Sequence, residues 1–204
     1  FEIRPVPEYS ERSQAAGYYR PGTPDGSRPG IFFVNTYDLP SRTTPRMETL
    51  FLHEAIPGHH FQIALAQENE SLPNFMRFDG NTAFAEGWAL YAESLGPELG
   101  MFTDPYQAFG SLDDEMLRAI RLVVDTGIHA RGWSREQAIR YMLDNSAQSE
   151  TDARAEVERY IAIPGQALAY KVGALTIRRL RTEAEQALGE RFDPREFHAQ
   201  VLDT

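Results

Sequence analysis

The chain has 204 residues, of which 42% are hydrophobic and 25% charged, a balance typical of soluble globular proteins and sufficient for one domain with its own core. Its net charge of −10 argues against nucleic acid as a partner, because a phosphate-binding surface needs clustered lysine and arginine. The absence of cysteine excludes disulfides, thiolate zinc sites and a cysteine nucleophile. No apolar run approaches the roughly 18 residues that cross a bilayer, so we expect no membrane span.

The N-terminal part of the chain is predicted to contain a loop-rich lead-in and one strand. Residues 1–29 are rich in proline and glycine, which favour loops. Residues 31–37, IFFVNTY, are mostly β-branched or aromatic and lie between Gly30 and Pro40, a pattern typical of a strand. The first residue is Phe1 rather than methionine, so we expect the chain to be the C-terminal part of a longer protein. Its cellular location stays open.

The rest of the chain is predicted to be helical. Thr44 and Pro45 form a typical helix start, and the helix that they open should reach His53. Apolar spacing and capping residues predict further helices at about 82–95, 105–130, 134–145, 152–163 and 166–188, with a short last one from residue 193. We therefore expect a mainly α fold, in a single domain over residues 1–204, with a small β-strand element near its N-terminus.

The segment HEAIPGHH, at residues 53–60, is the centre of the functional hypothesis. It holds three of the five histidines of the chain. Zinc prefers imidazole and carboxylate ligands, and a catalytic zinc site keeps one position for water. The usual helical motif, His-Glu-x-x-His, places two histidines on one face with the glutamate as base. Here His53 and Glu54 match its beginning, but Pro57 occupies the position of the second histidine.

The second histidine ligand is therefore either His59 or His60. In a straight helix His59 would lie about 120° around the axis from His53, and His60 about 10 Å along it. Pro57 interrupts helical hydrogen bonding and Gly58 tolerates unusual dihedral angles. A two-residue bulge at this step would return His59 to the ligating position. We prefer His59 as the second ligand and keep His60 as the alternative.

A third ligand is expected from a separate helix. Glu86 lies in an otherwise apolar stretch, residues 82–93, where an unpaired carboxylate would be costly. It is our candidate ligand. Glu93 falls two turns later on the same face and is either a partner of the ligands or an ordinary exposed glutamate. Gly87 would allow this helix to approach another one closely.

Three segments carry a family resemblance: HEAIPGHHFQ at 53–62, AEGWALYAE at 85–93 and RYIAIPGQALAY at 159–170. Together with VDTGIHARGW at 124–133, they resemble the bacterial domain-of-unknown-function family 885 (DUF885) over nearly the whole chain. That family is in turn similar to the helical gluzincin peptidases, which include angiotensin-converting enzyme and the thermostable carboxypeptidases. The resemblance implies a zincin-like helical domain and makes this chain its C-terminal catalytic part.

In gluzincins two histidines and a downstream glutamate hold zinc, and the resemblance implies these roles for His53, His59 and Glu86. Zinc lowers the pKa of a bound water and polarises the scissile carbonyl. Glu54 would then act as the general base, taking the water proton and passing it to the leaving amine. The Pro-Gly insertion is where this sequence departs from the gluzincin pattern.

The resemblance also suggests groups that stabilise the developing oxyanion. Arg159 and Tyr160 are similar to an Arg-Tyr pair whose tyrosine donates a hydrogen bond to that oxyanion, a contribution worth a few kcal/mol. Tyr160 is our first candidate for the donor and Tyr170 the second. His129, four residues after Asp125, either faces the substrate or caps a helix end.

A peptide is the substrate that these features favour. In gluzincins an edge strand aligns the peptide, and an exposed edge of the strand at 31–37 could do so through main-chain hydrogen bonds, with Asn35 adding a polar contact. The leading hypothesis is thus a zinc metallopeptidase. Two alternatives use the same residues: a zinc hydrolase of a non-peptide amide or ester, and a degenerate zincin that binds metal or a partner without cutting.

Overall fold

Within residues 1–41 and 44–203, which the computed structural model describes, nine α-helices follow three short strands. The strands are β1 (Glu2–Pro5), β2 (Gly17–Arg20) and β3 (Ile31–Val34). The helices are α1 (Met47–Glu54), α2 (His59–Glu68), α3 (Asn74–Phe78), α4 (Thr82–Glu93), α5 (Pro105–Arg131), α6 (Arg135–Asn145), α7 (Glu150–Ala162), α8 (Gln166–Leu188) and α9 (Pro194–Leu202). The chain is mainly α, as the sequence predicted.

Helix ends follow the capping chemistry read from the sequence. The Asn81 side chain accepts from the first backbone N–H groups of α4, and Ser134 forms a capping box with Gln137 at the start of α6. Gly132 and Gly165 adopt positive φ angles of 69° and 81°, where α5 ends and α8 begins. The predicted first helix is shorter than expected: a 3₁₀ turn covers Thr44–Arg46 before α1 begins.

The sheet corrects two predictions for the N-terminal part. Residues 1–29 contain two strands rather than loop alone, and the sheet order is β1-β3-β2, with β1 parallel and β2 antiparallel to β3. The predicted strand is therefore central, since both of its edges are paired and neither can receive a peptide. Asn35 is buried, and its side-chain amide donates to the carbonyl oxygens of Glu11, Gln14 and Ala15. Asn35 therefore holds the loop at residues 11–15 and is not placed to contact a substrate.

The close contact between α4 and α8 is the centre of the helical part. A Cβ atom on Gly87 would clash with the backbone of Gly173, and one on Gly173 would clash with the carbonyl oxygen of Ala83. The two glycines thus let the helix axes approach, as predicted for Gly87. Beside them Leu90 packs against Tyr170 and Ala174. No helix in the described ranges is long and apolar enough to cross a membrane.

We expect Gly87→Ala to reduce the free energy of unfolding by about 1–3 kcal/mol, the usual cost of overpacking a tight contact. Gly80→Ala is the matched control, because a Cβ atom at Gly80 meets nothing within 4 Å. Urea denaturation of both variants measures the difference. Equal midpoints for the two variants would show that the helices can separate at no cost.

Candidate metal centre

The break between α1 and α2 brings two histidines together. Helix α1 ends at Glu54, Ala55 takes non-helical angles (φ −106°, ψ −104°), and α2 begins at His59. A Cβ atom on Gly58 would clash with the carbonyl oxygen of His53, so only glycine lets the turn fold back this tightly. The structure thus has two helices instead of the predicted bulge in one. The two histidines nevertheless come together as the bulge was expected to bring them, since the ring centroids of His53 and His59 lie 4.7 Å apart.

Helix α4 completes the cluster. Glu86 Oε2 lies 3.5 Å from His53 Nε2 and 3.2 Å from His59 Nε2. One ligand atom from each of these three residues falls within 4.8 Å of the other two. The side chains of all three are at most 15% exposed. His60 points elsewhere, because its Nδ1 lies 2.9 Å from the Tyr19 hydroxyl.

A second carboxylate orients the first histidine. Glu93 is buried, and its Oε1 accepts a hydrogen bond of 2.6 Å from His53 Nδ1. Arg118 Nη2 lies 3.6 Å from the same oxygen. Of the two readings left open for Glu93, the structure selects the buried partner. Such an outer carboxylate fixes the tautomer of a ligating imidazole and makes it a better donor to a metal.

The charges of the cluster are strongly coupled. Burial alone would lower the pKa of His53, but the neighbouring carboxylates of Glu86 and Glu93 outweigh burial and raise that pKa to about 10. Burial acts in the opposite direction on Glu86, and His53 and His59 hold the pKa of its carboxyl far below the usual range. Glu86 Oε2 and His59 Nδ1 are nevertheless buried without a hydrogen-bond partner. A donor set of two imidazoles and one carboxylate fits a divalent cation such as zinc.

Glu54 lies at the last position of α1, directly after His53. It is only 7% exposed, and it forms no hydrogen bond or ion pair with any residue in the described ranges. A buried carboxylate without a partner is costly. A water molecule held at the adjacent cluster would be the hydrogen-bond partner that the described protein groups do not supply to Glu54.

Tyr170 is the tyrosine that contacts the cluster. Its ring stacks on that of His53, at 6.1 Å between centroids. Its hydroxyl accepts a 2.9 Å hydrogen bond from Arg159 Nη2 and lies 3.4 Å from Gln166 Nε2. Gln166 Nε2 also donates to Glu86 Oε1 at 3.2 Å. Helix α8 thus contributes a polar rim next to the three candidate ligands.

Tyr160, the first candidate from the sequence, belongs to a different network. Its hydroxyl donates to Glu156 and accepts from Arg121 Nε at 3.0 Å. Burial, partly offset by Arg121, raises the pKa of this hydroxyl well above its usual value. Neither bond of the hydroxyl reaches the cluster. Tyr170, the second candidate, takes the place beside His53.

His129 and His198 also have structural partners. His129 Nε2 donates to the carbonyl oxygen of Tyr160 at 2.9 Å, and the nearby Asp125 accepts from the N–H of Gly165 at 3.0 Å. Both residues therefore hold the α7–α8 turn, which matches the capping alternative for His129. His198, a surface residue by its sequence pattern, is half-buried and lies 2.7 Å from the Tyr91 hydroxyl.

Sequence reasoning did not single out Gln166 or Arg118. Gln166 lies in the 159–170 segment, but a break at Pro164 and Gly165 separates it from Arg159, so helical spacing does not connect the two. Arg118 lies on α5 between Leu117 and Ile120, which are buried. Only the unusual position of an arginine on a buried face could have drawn attention to it.

Comparisons with known proteins identify a family and two similar solved structures. The model for the family described as "Bacterial protein of unknown function (DUF885)" matches residues 1–204. A structure described as "the putative lipoprotein from Colwellia psychrerythraea" superposes with a TM-score of 0.96 at 46% identity, covering 98% of this chain and 34% of that one. Another, "a putative lipoprotein of unknown function from Shewanella oneidensis", gives 0.79 at 29% identity, covering 98% and 37%. The chain thus spans about a third of these relatives. No match was found among the curated proteins.

The network around Tyr160 generates a pH prediction. Burial would raise the pKa of Glu156, but Arg121 and Tyr160 hold that pKa at about 2. Because the folded pKa lies below the usual value, the stabilisation is fully present above about pH 5 and disappears as the pH falls towards 2. We expect Glu156→Gln to lose about 3 kcal/mol at pH 7 and to show a flatter decline in stability below pH 5.

Urea denaturation of Glu156→Gln between about pH 2 and 7 measures both effects. Glu158→Gln is the control, since Glu158 lies on the same helix but is 55% exposed, in a pair with Arg135. An exposed pair of this kind contributes about 0–1 kcal/mol. The same loss in both variants would contradict the role given to the buried pair.

Proposed function

The chain belongs to the bacterial DUF885 family, and we propose that it is a zinc-dependent peptidase. One observation carries the proposal: His53, His59 and Glu86 bring three ligand atoms within 4.8 Å of one another from three separate helices. Glu54 lies beside them as a buried carboxylate that forms no hydrogen bond or ion pair within the described ranges. Three protein ligands with a neighbouring glutamate are the composition of a hydrolytic zinc site.

The roles of the residues follow from their positions. Zinc, when bound by His53, His59 and Glu86, would supply Lewis acidity and make a neighbouring water more acidic. Glu54 is the group that takes the water proton and passes it to the leaving amine. Glu93 keeps the Nδ1 proton on His53, so that the other ring nitrogen faces the cation.

Tyr170 is the donor for the developing oxyanion. Its hydroxyl oxygen already accepts from Arg159 and Gln166, so its own proton is directed to another acceptor. In the described ranges that proton meets no protein acceptor. A donor fixed in advance in this way contributes more to an oxyanion than one that must reorient.

The sheet supports a peptide as the substrate, although through a different strand than the sequence suggested. Among the described residues strand β2 pairs only with β3, and it lies against α1 and α2. Tyr19 of β2 is hydrogen bonded to His60, the neighbour of His59. The free edge of β2 can therefore hold an extended peptide by main-chain hydrogen bonds close to the three ligands.

The assignment of ligands is tested by two adjacent histidines. We expect His59→Ala to weaken zinc binding by more than the roughly 10–100-fold that loss of an outer partner costs. His60→Ala should change zinc affinity little, because His60 contacts Tyr19 and not the cluster. Competition with a chromogenic chelator measures both affinities. Comparable losses, or a larger loss for His60→Ala, would remove His59 from the ligand set.

Catalysis is tested at Glu54. Glu54→Gln should retain zinc and lose about 10²–10⁴-fold in peptide hydrolysis, because the amide cannot accept the water proton. Glu68→Gln is the control, as Glu68 is an exposed carboxylate of α2. The assay digests a peptide library with the natural full-length protein, followed by mass spectrometry. Undiminished cleavage by Glu54→Gln, or no cleavage by the parent protein, would reject the peptidase.

A further inference from the structure

Arg159 stands at the rim of the cluster with part of its guanidinium uncommitted. Its side chain is 32% exposed, and Nη2 donates to two neutral oxygens, Tyr170 Oη at 2.9 Å and Gln166 Oε1 at 3.0 Å. The adjoining turn, with Ile163 52% exposed, leaves this side of the site accessible. A fixed and accessible arginine of this kind presents its remaining N–H groups to whatever enters the site.

The positive charge of Arg159 has little compensation from the protein. The only carboxylate within 4.0 Å of it in the described ranges is that of Glu156, at 3.9 Å. That carboxylate is already engaged by Arg121 at 2.7 Å and by the Tyr160 hydroxyl. One carboxylate thus faces two guanidinium groups. Arg159 therefore retains N–H groups on Nε and Nη1 that can donate charge-assisted hydrogen bonds to a further carboxylate.

The distance from the candidate ligands limits where such a carboxylate can lie in a substrate. A single amide group, that of Gln166, connects Arg159 to Glu86 through hydrogen bonds of 3.0 Å and 3.2 Å. An extended chain advances about 3.5 Å per residue. A substrate carboxylate at Arg159 would thus lie one or two residues from a scissile bond at the cluster.

We propose that Arg159, oriented by Gln166, is a specificity-determining residue that binds a substrate carboxylate one or two residues beyond the scissile bond. This inference rests on the proposed peptidase function and specifies its substrate class. The carboxylate is either the free C-terminus of a short peptide or an aspartate or glutamate side chain at that position. Both have the same chemistry at the guanidinium group.

The test uses binding as well as cleavage, with the natural full-length protein loaded with zinc. Three peptide series are compared: free acids, the same peptides as C-terminal amides, and amides with Asp or Glu one or two residues after the scissile bond. Calorimetry with Glu54→Gln measures affinity without turnover. Hydrolysis by the parent protein gives kcat and KM separately.

We expect at least one carboxylate series to bind about tenfold or more tightly than the neutral amides, and Arg159→Gln to lower the affinity of that series to the level of the amides. The kcat should fall in every series, because Arg159 also orients the Tyr170 hydroxyl. Arg159→Lys should restore part of the preference for carboxylates, because the charge remains but the fixed planar arrangement of N–H donors does not. Arg154→Gln is the control, as Arg154 is an exposed arginine of the same helix paired with Glu150.

Each outcome bears on a separate claim. A preference for free acids identifies the C-terminal carboxylate, and a preference for acidic amides identifies a side chain. Equal affinity for all three series, or an equal loss of affinity in all of them with Arg159→Gln, overturns the carboxylate role. Carboxylate-dependent binding without hydrolysis by the parent protein would retain the role of Arg159 and reject the peptidase itself.

Discussion

The contact of α4 with α8 at Gly87 and Gly173 is the constraint on which the candidate site depends. Glu86 immediately precedes one of these glycines, and Tyr170 lies three residues before the other, so the backbone contact fixes the separation of the two side chains. A methyl group added at either glycine would push α4 and α8 apart. The Glu86 carboxylate and the Tyr170 hydroxyl would separate with them. Site geometry is therefore a direct product of helix packing.

Charged residues beneath the site maintain this geometry in a buried setting. Arg118 and Arg121, one helical turn apart on α5, lie over the ring of Tyr170 with their guanidinium carbons 5.6 Å and 4.4 Å from its centroid. Each is paired with a carboxylate, Glu93 or Glu156. Because removing one partner would leave an uncompensated buried charge, these pairs restrict the side chains to one arrangement.

Much of the fold and the residues of the candidate cluster could be predicted from local sequence, whereas side-chain direction could not. Caps, glycine breaks and the DUF885 resemblance are local signals, and each agrees with the structure or the family match. The role of β3 as a central strand depends on partners from a proline- and glycine-rich segment, which only non-local hydrogen bonds reveal. The choice between Tyr160 and Tyr170 depends on which buried charge each hydroxyl meets across the core, and spacing along the chain carries no such information.

Because His53 and His59 lie on two separate helices, the proposed cation site depends on how the chain folds between them. In an unbroken helix the pitch alone sets the spacing of two imidazoles, and a short helical peptide already holds both of them at that spacing. In this chain the spacing depends on the Pro57–Gly58 turn, which the Trp88 indole anchors through a 2.7 Å hydrogen bond to the Pro57 carbonyl. At the proposed zinc site, cation affinity would thus be a property of the assembled tertiary structure, and residues 50–62 excised as a peptide would have no preformed chelate.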